Sequence, residues 1–210
     1  YTDGYGSYLI PAVMMIIIFQ TLLMVIGMVT GEEYSSDGIR TYAPFGHTWA
    51  AAIRIVAGKT FVYCGLYAIF SFFLLGLLPY FFSIPNIGNG LYIVLLMIPY
   101  LIATSFLGLA ASRYFTDSEA PLLMIAFFSV GLIFLSGVSY PMELMPWYWK
   151  AAHYILPAAP ATLAFVQLNS MGASMADIRP EYITLWIQVL VYFILSIWVY
   201  PKKLQKSQLR

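Results

Sequence analysis

The sequence predicts an all-α, polytopic integral membrane protein, and three observations carry that prediction. Five stretches, 8–29, 60–78, 91–111, 121–138 and 182–200, contain no Asp, Glu, Lys or Arg. At about 1.5 Å per helical residue each is long enough for a hydrocarbon core of roughly 30 Å. Of the 210 residues, 61% are hydrophobic and 9% charged, against about 25% charged in soluble proteins, so a water-soluble core is excluded. The basic residues are also segregated. Arg40, Arg54, Lys59, Arg113, Lys202, Lys203, Lys206 and Arg210 fall in segments on one side of the alternating spans, and Lys150 and Arg179 on the other.

That bias places the 30–59 loop, the 112–120 turn and the C-terminal tail in the cytoplasm and the N-terminus outside, which suits an odd number of spans. An exterior start at Tyr1, with no basic n-region and cleavage site, reads as a fragment whose parent has six spans.

The first span, 8–29, leads into Gly31-Glu32-Glu33-Tyr34-Ser35-Ser36-Asp37-Gly38, a polar stretch expected to break the helix. Thr48 then caps a segment with apolar Trp49, Ala52, Ile53 and Val56 at i, i+3, i+4 and i+7. This spacing predicts a short amphipathic helix at about 48–56 on the cytoplasmic surface. Such a helix serves either as an interfacial anchor or as a docking element, and periodicity does not separate the two. The second and third spans, 60–78 and 91–111, are joined by a turn rich in Pro, Asn and Gly, and form a tight hairpin. The fourth, 121–138, begins at Pro121, where proline is tolerated in a first turn.

The segment before the fifth span, 182–200, is apolar and aromatic but broken by Pro141, Pro146, Pro157 and Pro160. It cannot cross as one helix. Two pieces beginning near Pro146 and Pro160, within about 141–170, fit a re-entrant hairpin on the extracytoplasmic side, or an aromatic belt carrying Trp147, Tyr148 and Trp149.

The spans hold no Asp, Glu, Lys, Arg or His, which weighs against a proton relay or an intramembrane metalloprotease. Gln20, Thr21, Thr104, Ser105, Ser129, Ser136 and Gln188 are expected to hydrogen-bond between helices. Gly58-Lys59-Thr60 fails as a phosphate loop, because Ile53 stands where a Gly is required, and Lys59 is expected to snorkel. Glu32-Glu33 lacks the Arg that an intramembrane prenyl-protein protease places four residues on; Asp37 is there instead. His47 and His153 fall on opposite sides of the membrane and share no metal. Cys64 reads as a small buried hydrophobe. A net charge of +1 without a basic cluster argues against nucleic acid.

In order, these elements resemble the permease subunit of ABC-2 type exporters. The sharpest similarity is Ser136-Gly137-Val138-Ser139-Tyr140-Pro141-Met142-Glu143-Leu144-Met145-Pro146-Trp147 followed by Ile155-Leu156-Pro157, with Gly58-Lys59 before the second span. The family's usual Arg-Glu-Arg-Glu-x-Gly-Thr stretch is replaced by 31–38, and its Thr-Pro by Ala43-Pro44. The resemblance implies a single transmembrane domain over 1–210, truncated at its N-terminus, with no catalytic residue and no cofactor or metal of its own. ATP and Mg would be used by a cytoplasmic ABC ATPase partner, docked through Trp49, Ala52, Ile53 and Val56 acting as a coupling helix. It further implies a second permease copy or homologue, a bacterial inner-membrane location, and a hydrophobic, lipid-like or drug-like cargo leaving past Pro141, Met145, Pro146, Trp147 and Pro157. A subunit that anchors or assembles other membrane proteins, and transports nothing, is the alternative.

Overall fold

The computed structural model describes residues 5–35, 49–82, 87–112, 131–140 and 142–208. Among these there is no strand. The longer helices among the described residues are α1 (Tyr5–Ser35), α2 (Trp49–Phe72), α3 (Gly90–Ala111), α4 (Trp147–Ile155), α5 (Ala158–Ser170) and α6 (Arg179–Gln208). Residues 131–135 are also helical. Four stretches, Leu9–Glu33, Trp49–Phe81, Gly90–Ala111 and Arg179–Val199, are long and apolar enough to cross a membrane. The expected span at 121–138 lies outside the described residues except for 131–138.

α3 is the central element, packing most extensively on α6 and also on α1, α2 and α5. Leu96, Tyr100, Ala103 and Leu109 have no solvent exposure. Within a bilayer, lipid tails are as apolar as the helices, so association depends on close van der Waals fit and on small residues that permit it. Two contacts supply that fit. At Gly108, a Cβ would lie 3.1 Å from Ile26 of α1. On α5, Ala158, Ala161 and Ala164 are buried in the core that α1 shares.

Of the residues expected to hydrogen-bond between helices, Gln188 and Ser105 do so, while others bond within their own segment. Thr21, Thr104 and Ser136 hydroxyls donate to Ile17, Tyr100 and Ile133 carbonyls of their own helical segments, because a hydroxyl on a helix reaches the i−3 or i−4 carbonyl more easily than a neighbour. The links between elements are Tyr100 Oη to the Met15 carbonyl at 2.7 Å and Gln188 Nε2 to the Tyr154 carbonyl at 2.8 Å. Tyr192 Oη donates to the Ile155 carbonyl. Cys64 Sγ also lies 3.7 Å from Ser105 Oγ, between α2 and α3.

Two boundaries differ from expectation. α1 continues through Gly31, Glu32 and Glu33 to Ser35, so the glycine does not end it. α2 has no break between Val56 and Thr60: the expected surface helix and the second span are one continuous rod. Above Phe72 the rod passes through a π-turn, Phe73–Leu77, closed by the Leu78 N–H on the Phe73 carbonyl, before a last α-turn, Leu78–Phe81. Pro79 accounts for the widening, since its ring would press on the carbonyl four residues back and it has no N–H to give. The second piece of the proline-rich segment begins at Ala158, two residues ahead of Pro160. Leu156 is extended (φ −96°, ψ 123°), as a residue before proline prefers. Pro160 sits in the first turn of α5, where a missing N–H costs nothing.

Candidate functional site

Two regions hold the residues singled out from the sequence. The first is the beginning of α2. Trp49 and Ile53 are 60% and 42% exposed, whereas Ala52 and Val56 are buried in the core. The spacing therefore divides one helical face into an inner pair that fixes the rod and an outer pair that presents apolar surface. Trp49 also borders a shallow apolar cleft with Ile194, Ile197 and Trp198, which places the start of α2 beside the C-terminal half of α6. From Trp49 to Phe81 the rod has 33 residues, about 50 Å, some 20 Å more than the hydrocarbon core. Its excess length must tilt or emerge.

An ion pair ties this end together. Lys59 Nζ lies 2.5 Å from Glu33 Oε2, with the two side chains 12% and 21% exposed. The pair joins the last turns of α1 to α2, so Lys59 is not the freely snorkelling anchor that its position beside an apolar stretch suggests. Glu33, from the acidic pair Glu32-Glu33, supplies the countercharge that a largely desolvated ammonium needs.

The second region is the bent segment formed by α4 and α5, whose axes meet at 88°. α5 lies in the core, with Phe165 and Leu168 buried, while α4 exposes Trp147, Tyr148 and Trp149. A helix that stops inside apolar surroundings leaves carbonyls without donors, and side chains from elsewhere meet that need here. Gln188 and Tyr192 of α6 cap the Tyr154 and Ile155 carbonyls. His153 Nδ1 lies 2.8 Å from the Leu135 carbonyl, at the end of the 131–135 helical stretch. The histidine is 1% exposed, and so is a buried capping group. His47 lies outside the described residues.

Met145 is buried and Pro146 exposed, and both line a cleft of about 350 Å³ with Gly131, Phe134, Tyr140 and Trp149. Trp147 is 81% exposed, and Pro157 is buried at the bend. Pro141 lies outside the described residues. The structure thus brings Met145 and Pro146 together at one aromatic cleft and sets Pro157 at the corner.

A contact that the sequence did not reveal holds this region to the α2–α3 turn. Ile87 N–H donates to the Asn169 carbonyl at 3.1 Å, and a Cβ at Gly88 would lie 2.6 Å from the Leu168 carbonyl oxygen. Asn89 then caps α3 by accepting from the Leu91 N–H at 3.0 Å. The Asn-Gly composition of the turn was the available signal; its docking partner was not. Among the described residues no group of three or more His, Cys, Asp or Glu side chains is placed to hold a metal.

Residues 1–198 match the family described as ABC-2 family transporter protein. No curated protein and no solved structure matches the chain.

Proposed function

Since the chain belongs to the ABC-2 family of transporter membrane proteins, we propose that it is the permease subunit of an ATP-driven exporter whose ATP hydrolysis takes place on a separate cytoplasmic ABC ATPase. The observation that carries this reading is the first two turns of α2, where Ala52 and Val56 are held in the core while Trp49 and Ile53 face outward on a rod longer than the membrane is thick. An apolar, aromatic surface at a helix end, fixed from behind by buried small residues, suits a groove on a partner. The basic excess on this side supports a cytoplasmic position for it and for the C-terminus, and the family reading supports a bacterial inner membrane.

A cargo of hydrophobic, lipid-like or drug-like character is supported by the walls available to it. The bent segment offers Phe134, Tyr140, Met145 and Trp149 at one cleft, and the described spans offer no Asp, Glu, Lys, Arg or His between 60 and 78, 91 and 111, or 182 and 199. The functional unit is a dimer of permeases with two ATPases, in which closure of the ATPases displaces α2 and the bent segment moves to release cargo.

Replacing Trp49 and Ile53 together with Asp is expected to abolish co-purification of the ATPase from cells expressing both subunits, while the permease still elutes as a single species. An undiminished complex would overturn the coupling assignment. Stimulation of ATP hydrolysis by apolar compounds in the reconstituted complex tests transport itself; a complex that assembles normally but is never stimulated by any cargo would favour an anchoring subunit.

A further inference from the structure

We propose that the cleft between α2 and α3 seats one acyl chain of a membrane lipid from the leaflet that borders the α2–α3 turn. The cleft has a volume of about 530 Å³ and runs from Cys64 to Gly76 on α2 and its π-turn, and from Gly90 to Ile102 on α3. Each stretch advances 12 residues, or about 18 Å along a helix. That is slightly more than half of a hydrocarbon core of roughly 30 Å, the depth of one leaflet's chains.

Three further features point to an occupant. The end of the cleft nearest the turn has a glycine on each wall: a Cβ at Gly76 would touch only the Phe72 ring, at 3.8 Å, and at Gly90 it would meet nothing within 4 Å. The π-turn at Phe73–Leu77 widens α2 beside this opening, and such turns mark functional positions more often than ordinary helix does. Ser71, 4% exposed, lines the wall, and its hydroxyl has no hydrogen-bond partner among the described residues. A buried hydroxyl without a partner is destabilising, and an oxygen on a seated lipid would accept from it. The rim is formed by the exposed Phe72, Val94 and Ile98, so the groove opens where lipid chains are the neighbouring molecules. This inference does not rest on transport or on the ATPase.

The test uses the full-length protein in phosphatidylethanolamine and phosphatidylglycerol vesicles containing a trace of phosphatidylcholine with a diazirine-bearing acyl chain. Photolabelling should concentrate in peptides covering 64–76 and 90–102. Ala68→Phe or Gly76→Leu, each filling the groove, should lower that labelling about tenfold, the equivalent of a few methylenes' burial. Gly58→Leu, on the same helix with open space at its Cβ, should leave it unchanged. Labelling spread equally over outward-facing Phe61 and Ile69 would overturn the proposal, as would a Val94→Cys variant that forms a disulfide between copies in the membrane, which would show a second permease in the groove.

Discussion

Glu33 and Lys59 are 26 positions apart in the chain, yet their carboxylate and ammonium meet at 2.5 Å between α1 and α2. Removing one partner leaves the other charge largely out of solvent, which costs more than the pair contributes. Lys59→Met or Glu33→Gln should each lower stability by about 1–3 kcal/mol, and the double variant should be less destabilised than the two singles predict. A double-mutant cycle on thermal unfolding in detergent measures the difference; additive losses would mean that the pair contributes nothing.

Gly88 has no room for a side chain, because the Leu168 carbonyl would lie 2.6 Å from its Cβ. Gly88→Val should push the α2–α3 turn off α5, break the Ile87–Asn169 hydrogen bond and cost about 1–3 kcal/mol. The measurable sign is faster hydrogen exchange at Ile87. Gly58→Val, at an open position, is the control and should leave that exchange unchanged.

His153 satisfies the Leu135 carbonyl from within the core. His153→Leu preserves bulk and removes the donor, so about 1–3 kcal/mol should be lost. His153→Asn, which keeps an N–H donor, should recover part of it. Thermal melts of the three proteins side by side decide this, and equal values for Leu and Asn would show that only the volume matters.

Asp177 is held below the usual carboxylate range, first by the Ser174 backbone N–H and then by the Ser174 hydroxyl, both bonded to Oδ2 at 2.8 Å. A carboxyl whose pKa is depressed on folding stabilises the turn at pH values above its unfolded pKa and loses that effect as pH falls through the folded value. Protection of the Ser174 amide, corrected for intrinsic exchange, should therefore be flat from neutral pH to about pH 5 and decline below the normal Asp range near 3.9. Asp177→Asn should show weaker protection with no such decline.

The membrane-spanning character was legible because charge is excluded from apolar stretches by a simple energetic rule, and the break in the 141–170 segment was legible because its prolines rule out one continuous helix. Pro160 marked the start of α5 to within two residues, because the first turn of a helix accepts proline without loss. The join at Gly58-Lys59-Thr60 looked like an end of a span because a lysine beside hydrocarbon requires compensation, and its compensation comes from a residue on another helix. Gln188 was legible as an interhelical hydrogen-bonder, but the bonds of Tyr100 and Tyr192 were obscured for the same reason: their acceptors are backbone carbonyls left over by other helices' ends and crossings, which carry no sequence signature.

The unbroken course of α2 changes what a push at Trp49 does. With no joint at the membrane surface, force there cannot be absorbed by a swivelling connector and must rotate the whole rod. Over about 50 Å, a 10° swing moves one tip by roughly 9 Å relative to the other. The π-turn at Phe73–Leu77 interrupts the regular hydrogen-bond ladder of that rod, at the end beside the turn that Gly88 packs against α5.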